Sequence, residues 1–583
     1  MPPRYSREIT RPVVLGAQLK EQFRTSPCET SCPIGNSIQK MNSLIEKGQF
    51  TEALRYLRAK NPFPGITGRV CPHFCMDACN RKEMDGCLNI RALERAAETF
   101  AERGHVFFKR RPATGKKAAV IGGGPAGLTA AYFLALLGHE VTIYEAEPLL
   151  GGVPRYGVPN FRLPRDVVDR EVGLVLEAGV RARVNTRVGV DITMEEISAR
   201  YDAVIVATGV PAENSLPIPG AEKAVKAVEF LRAAALGQNT GKIGKNVVIM
   251  GGGGVAFDCA FTARRLGAEN VHVICLEKAG EMRAPAEDLE LAAKEGVHVH
   301  NSCTMSAIRT EGDKVTGVDY FEVKDCHFDE KGKLTLEAVP GGEHVLECDT
   351  VIFAVGMKTD LAFLGENAGG LELTPRNWIK VDESQRTSRA GVFAAGDVSA
   401  GPASIARAVG DGRRAAFAVH QMLTGTSSRV YALNEENMIE DCDAMGSDTA
   451  PYVVQYADIY GIAQYESVPS EKEAECLYQG FCRTQPGPDH RTGPEGSRPL
   501  LPLRPLQGLW YLRRGLPRLC AGDASLPGSG TSRNDAWRRV LALRQLPHQL
   551  PLQRHRLHIP PVYASLVLLR RYKDFLHRQK LLM

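Results

Sequence analysis

Two sets of residues in this chain have types and spacings that could do chemistry. The first is a group of cysteines: Cys28 and Cys32, then Cys71, Cys75 and Cys79. Thiolates at this density suit an iron–sulfur cluster, with zinc as the structural alternative. The second set is glycine turns, each followed by an acid. In "KKAAVIGGGPAGLTAAYFLALLGHEVTIYE", Gly122, Gly124 and Gly127 form G-x-G-x-x-G, and Glu145 follows Gly122 by 23 positions. The first glycine permits a tight turn, the second admits a pyrophosphate against the backbone, and the third lets helix and strand pack closely. The acid can accept hydrogen bonds from ribose hydroxyls. A second copy, "GKNVVIMGGGGVAFDCAFTARRLGAENVHVICLE", repeats the arrangement with Gly251, Gly253, Ala256 and Glu277.

Such turns work only between a strand and a helix, where phosphate meets the free N–H groups of the helix start. Both copies read this way: apolar strand, turn, apolar helix, second strand ending in the acid. Two units imply two nucleotides, one retained and one exchanged, which suits flavin with nicotinamide. The Glu277 carboxylate favours a free 2′-hydroxyl and hence NADH; Arg264, Arg265 and Lys278 leave NADPH open. "YDAVIVATG" and "CDTVIFAVG" are further buried strands running into small-residue turns. "GVFAAGDVSAGPASIARAVGDGRRAA" places Asp397 between a strand and a helix, suited to a flavin ribityl hydroxyl. Around the cysteines, Met41, Leu44 and Ile45, then Ala53, Leu54 and Leu57, mark two short amphipathic helices.

At 583 residues and 44% hydrophobic, the chain can hold three or four domains. No apolar run reaches membrane-span length. "MPPRYSREITRP" lacks the apolar core of a secretory signal, which points to a cytoplasmic enzyme. Of the net charge of +5, residues 476–583 carry +13 (16 Arg and 2 Lys against 4 Asp and 1 Glu), leaving −8 for the rest. Arg exceeds Lys eightfold there, an odd composition for a selected basic surface, and no nucleic-acid partner is expected.

In this order the motifs resemble the pyridine-nucleotide disulfide oxidoreductase superfamily, although the chain has no C-x-x-C dithiol. The cysteine pattern, "GGVPRYGVPNFRLPRDVV", both glycine motifs and "GPASIARAVGDGRRAA" together resemble the glutamate synthase small-subunit family of NAD(P)H oxidoreductases, over residues 25 to about 425. The resemblance implies FAD held by Gly122, Gly124, Gly127, Glu145, Gly152 and Asp397, a nicotinamide site at Gly251, Gly253, Ala256 and Glu277, and one N-terminal [4Fe-4S] cluster drawn from Cys28, Cys32, Cys71, Cys75 and Cys79. A second cluster would need cysteines upstream of Cys28, and "GAQLKEQFRT" offers none.

The expected fold is α/β: a helical iron–sulfur domain (1–112), an FAD domain in two parts (113–215 and 345–428) and an inserted NAD(P) domain (216–344), then a linker (429–475). The expected function is transfer of electrons from NAD(P)H through FAD and [4Fe-4S] to a ferredoxin or a larger redox subunit. The alternatives are a glutamate synthase small subunit and a non-catalytic nucleotide-binding scaffold. An oligomer is compatible with either role.

Residues 476–583 read as an out-of-frame tail. Taking the last two bases of each codon with the first of the next, Leu500 to Leu519 can encode Cys-Phe-His-Cys-Gly-His-Cys-Lys-Ala-Cys-Gly-Thr-Cys-Ala-Glu-Asp-Cys-Pro-Gly-Tyr. Arg539 onward can encode Glu-Cys-Trp-His-Cys-Gly-Asn-Cys-Arg-Ile-Asn-Cys-Pro, with a possible stop at Leu566–Val567. A frame change near Ala474–Gln479 is expected, hiding a ferredoxin-like domain.

Overall fold

A computed structural model describes residues 26–426 apart from 84–85, 103–107, 109, 239–242 and 329–333, together with 431–433 and 439–441. Residues 476–583, expected to be an out-of-frame tail, and nearly all of the expected linker lie outside the described residues.

The N-terminal unit is helical. Helices α1 (Ile38–Glu46) and α2 (Phe50–Arg58) bury Met41, Leu44, Ile45, Ala53, Leu54 and Leu57, as their spacing predicts. Helices α3 (Pro64–Val70) and α4 (Ile90–Phe100) pack with them, and the short turns Pro27–Thr30 and Phe74–Asp77 carry Cys28 and Cys75. Two parallel sheets follow. The first has the order β15-β4-β1-β2-β3, with β1 Lys117–Ile121, β2 Glu140–Tyr144, β3 Arg181–Arg183, β4 Ala203–Val206 and β15 Val392–Ala394. Its central strand β1 is buried from Ala118 to Ile121, because both faces of the sheet are covered. Long helices cover one face, and the Met194–Arg200 helix with residues such as Leu364, Leu371 and Ile379 covers the other. Helices α5 (Pro125–Leu136) and α6 (Arg165–Glu177) pack against it.

The second sheet has the order β6-β13-β7-β8-β9, with β6 Val225–Lys226, β7 Asn246–Met250, β8 Asn270–Ile274, β9 Val297–His300 and β13 Thr350–Phe353. It carries helices α7 (Ala227–Ala235), α8 (Gly254–Arg265) and α9 (Ala286–Lys294). A three-stranded antiparallel sheet, β10 (Cys303–Glu311), β11 (Lys314–Phe328) and β12 (Leu334–Glu347), covers its other face. Strands β5 (Ala212–Glu213) and β14 (Met357–Lys358) pair antiparallel where the chain passes between the two sheets. Helix α10 (Ile405–Thr424) then returns to the first unit, against α5.

One expected boundary is corrected. Residues 345–356 belong to the second unit, not the first, because β13 pairs in parallel with β7 and β6. "CDTVIFAVG" is apolar on both faces, and joining an open parallel sheet buries both. The crossing lies at β14, some dozen residues after the expected position.

Candidate functional site

In the first unit, Gly122 leaves β1 with φ +105, and a β-carbon there would overlap the Ala207 carbonyl. Gly127 faces the Gly122 carbonyl in the same way, so helix and strand meet without side chains between them. The Gly124 face is open: a β-carbon would find only Gly152 Cα, 3.9 Å away. Gly152, at φ +54, stands against Gly124 backbone to backbone. The Gly151 N–H donates to the Gly123 carbonyl at 2.8 Å. Glu145 accepts from Gly123 N–H at 2.7 Å and from Glu147 N–H at 2.8 Å. Burial pushes its carboxyl up, and these N–H donors oppose the shift.

Asp397 starts a one-turn helix after β15. The preceding Gly396 lies against Ala126 at the start of α5, which brings Asp397 to the glycine turn. Burial pushes its carboxyl up to about 6, aided by the charge of Asp411 on α10 and opposed by Ala403 N–H and Arg407. The sequence reading missed Asp411. It sits on the buried stripe of α10 among Ala408, Val409 and Gly412, so its signal was an acid in an apolar register.

In the second unit Gly251 has φ +136 and faces the Ala354 carbonyl. Gly253 has open space where a β-carbon would point, and Ala256 is fully buried. The Glu277 carboxylate lies over Gly252, as Glu145 lies over Gly123. Asn301 Nδ2 donates to the Glu277 carbonyl at 3.2 Å, and Ser302 N–H donates to it at 3.1 Å. Each unit therefore presents an open glycine face, a helix start and an acid whose carboxylate lies over the turn, and a dinucleotide fits these features.

The five cysteines come together on the N-terminal unit, each half-buried. Burial raises the Cys28 and Cys32 thiols and pushes Cys71 up to about 12. Cys75 rises too, first by burial and then through the charges of Cys32, Cys71 and Cys28. Cys79 acts in the same sense on Cys28. Thiols that resist ionisation beside one another become thiolates when a cationic centre replaces their protons. His73 adopts the left-handed conformation (φ 57), and its N–H donates to Cys71 Sγ at 3.4 Å. Among the described residues no three His, Cys, Asp or Glu side chains close on a single-ion position. Cys87, outside the expected ligand set, is exposed.

A second missed residue is Glu94 on α4. It is buried and accepts from Asn36 (3.3 Å), Asn61 (2.9 Å) and Thr67 (2.8 Å), tying the loop after Cys32 to α3 and α4. Burial pushes it up to about 7 against those donors. It shares a helical face with Ile90 and Ala97, which was the available signal.

These units also touch one another. Glu171 on α6 accepts from Gly65 N–H (2.6 Å) and Ile66 N–H (2.9 Å), capping α3 across the boundary. Arg170 on α6 donates to Glu98 on α4 at 2.6 Å. On α10, a β-carbon at Gly410 would overlap the Pro33 carbonyl, and one at Gly412 would overlap the Ala126 carbonyl. Two glycines two positions apart on one helix thus meet the Cys32 loop and the start of α5.

A family model described as pyridine nucleotide-disulphide oxidoreductase matches residues 116–412, just over half of the 583. The chain belongs to that family. Residues 18–105 match a second model, dihydropyrimidine dehydrogenase domain II with a 4Fe-4S cluster. Similar relatives include the NADP(+)-dependent formate dehydrogenase subunit beta of Moorella thermoacetica, 38% identical over 70% of this chain and 61% of that one. The NADPH-Fe(3+) oxidoreductase subunit beta of Geobacter sulfurreducens is 34% identical over 72% and 66%. The glutamate synthase [NADPH] small chain of Mycobacterium tuberculosis is 35% identical over 69% and 86%. The chain spans between three fifths and two thirds of the first two relatives. As in that family, the fold carries two dinucleotide-binding units, here preceded by the helical 4Fe-4S domain. Among the described residues no helix is long and apolar enough to cross a membrane.

Proposed function

We propose that this chain takes reducing equivalents from NAD(P)H and delivers them, through FAD and one [4Fe-4S] cluster, to a ferredoxin or to a larger redox subunit. The contact of Gly410 with the Cys32 loop and of Gly412 with the start of α5 supports the reading, since one helix holds the cysteine-bearing loop against the first dinucleotide-binding unit. FAD supplies the chemistry when bound: it accepts a hydride and returns electrons one at a time. The chain's residues bind and orient. Gly124 and Gly152 leave room for a pyrophosphate, and Glu145 beside the turn would take a ribose. Asp397 follows Gly396, which lies against the start of α5, where it would take a ribityl hydroxyl. Four of Cys28, Cys32, Cys71, Cys75 and Cys79 hold the cluster.

NADH is the proposed donor, because Glu277 would repel a 2′-phosphate, although the names of the Moorella and Geobacter relatives carry NADP(+) and NADPH. The mycobacterial relative supports a second reading, a glutamate synthase small subunit. Co-purification with a glutamine-using large subunit would favour that reading. The proposed setting is the cytoplasm, where thiols stay reduced. The test is anaerobic viologen reduction by iron-reconstituted, FAD-loaded protein with each nucleotide. Turnover with NADH supports the proposal; flavin left oxidised by both nucleotides favours a scaffold.

A further inference from the structure

Phe161 and Leu163 are two residues apart, yet they pack into different cores. Leu163 is fully buried in the core of the first unit, whereas Phe161 packs against that of the second. The loop is fixed on its own side. Arg165 donates to the Pro154 carbonyl at 2.9 Å and the Val158 carbonyl at 2.8 Å, and its N–H donates to Asn160 Oδ1 at 3.1 Å.

On the other side the Phe161 ring lies under the Arg265 guanidinium, 4.2 Å from it, and meets Phe261 edge-on at 6.4 Å. Arg265 is itself held by Glu295 through two bonds of 2.8 Å. Arg162 forks between two helices of the second unit, with Nε on Asp258 of α8 and Nη1 on Asp288 of α9 at 2.7 Å. Helix α8 is the one whose start forms the second glycine turn, and Asp258 lies one turn along it. A separate contact lies elsewhere on the boundary: Arg232 on α7 donates to Glu147, two residues from Glu145, at 2.7 Å. Two separated anchors remove the freedom to rotate that domains joined by a small polar interface retain.

Resting on the proposed function, we infer that Phe161 and Arg162 are positioning residues for hydride transfer: they dock the nicotinamide-binding unit in its reactive orientation on the flavin-binding unit. Neither is assigned a contact with a cofactor. Hydride transfer requires the reacting atoms at about 3–3.5 Å, and a loop seated in both cores sets the relation between the units that bring them together.

The test is anaerobic stopped-flow reduction of the FAD-loaded holoprotein by NADH, with Phe161→Ala, Phe161→Leu, Arg162→Met and Arg162→Lys. Phe161→Ala and Arg162→Met are expected to slow flavin reduction about tenfold or more and to weaken the long-wavelength nicotinamide–flavin charge-transfer band. NADH dissociation constants, FAD content and reduction by dithionite stay near those of the parent. The conservative Phe161→Leu and Arg162→Lys recover part of the rate. Folded, FAD-loaded variants reduced at the parental rate overturn the inference. A parent protein that neither nucleotide reduces overturns the proposed function, and the inference with it.

Discussion

His139 Nε2 and His420 Nδ1 lie 2.8 Å apart, tying the turn before β2 to the end of α10. Thr114 Oγ1 meets the other His139 ring nitrogen at 2.8 Å. Both imidazoles are buried and titrate below their ordinary value. Burial is the main cause for each; His420 and Arg110 add to it for His139 against Asp202, and Arg111 adds to it for His420. His139 is lowered to about 4. An unfolded imidazole takes up its proton near 6.5, so between those values the unfolded chain binds more protons. Stability is therefore full above about pH 6.5 and falls as pH drops toward 4, by on the order of 2 kcal/mol. Flavin-release melting at pH 7.5 and 5.5 should show a lower midpoint at the acid value. His420→Gln, which removes one titrating ring, should narrow the gap; an unchanged gap would clear the pair of responsibility.

Glu145 holds its carboxylate against Gly123 N–H at 2.7 Å, facing the open side of the turn. Glu145→Gln keeps the shape but loses the charge, and charge-assisted hydrogen bonds contribute about 1.5–3 kcal/mol. FAD affinity should fall roughly ten- to a hundredfold in titrations of the apoprotein. An affinity within twofold of the parent would mean that the ribose is held elsewhere.

Glu277 should set nucleotide choice. Glu277→Ala removes the charge opposed to a 2′-phosphate and leaves Lys278 beside it in sequence. Arg264 and Arg265, at the far end of α8, are held by the Ala268 and Glu269 carbonyls and by Glu295. The ratio of kcat/KM for NADPH over NADH should rise by about tenfold or more. If the parent already prefers NADPH, the carboxylate is not the discriminator.

Much of this arrangement could be read from the sequence, for reasons that differ by residue. Gly122 and Gly251 were legible because positive φ between strand and helix leaves few other choices of residue. The paired helices around Met41 and Leu54 followed from period. The placement of β13 did not, because an apolar strand ending in small residues suits either parallel sheet and only its partners decide. Glu94 was also hidden, because its partners Asn36, Asn61 and Thr67 come from segments distant in sequence. Asp411 pairs with Arg407 and Arg414 on its own helix, and only its bond with Gly396, in the turn after β15, was out of reach of the local pattern. Interfaces between the units, such as Gly410 against Pro33, leave no local pattern.

Gly410 offers a direct test of how the cysteine-bearing loop is seated on the first unit. Gly410→Val places a branched side chain where the Pro33 carbonyl lies, an overpacking that costs about 1–3 kcal/mol and must push the Cys32 loop outward. Flavin reduction by NADH should be nearly unaffected, while viologen reduction through the cluster falls severalfold at unchanged iron content. Equal loss of both steps would mean that the substitution damages the first unit as a whole.

The reading frame is the last test. Leucine recurs through residues 500–519 at nearly every third position, despite interruption by Pro502, Pro505 and Gly508. A helix cannot explain that rhythm through two prolines, whereas each leucine codon ending in G yields cysteine in the shifted frame when C or T follows. Both shifted runs end in Cys-Pro with ferredoxin-like spacing, an order that composition alone does not produce. Genomic sequencing across codons 470–500 should find a single-base insertion or deletion. Protein expressed from the restored frame should carry about twelve irons per chain rather than about four. An uninterrupted frame in the genome, or no added iron in the restored protein, would make the tail an ordinary Arg- and Pro-rich extension.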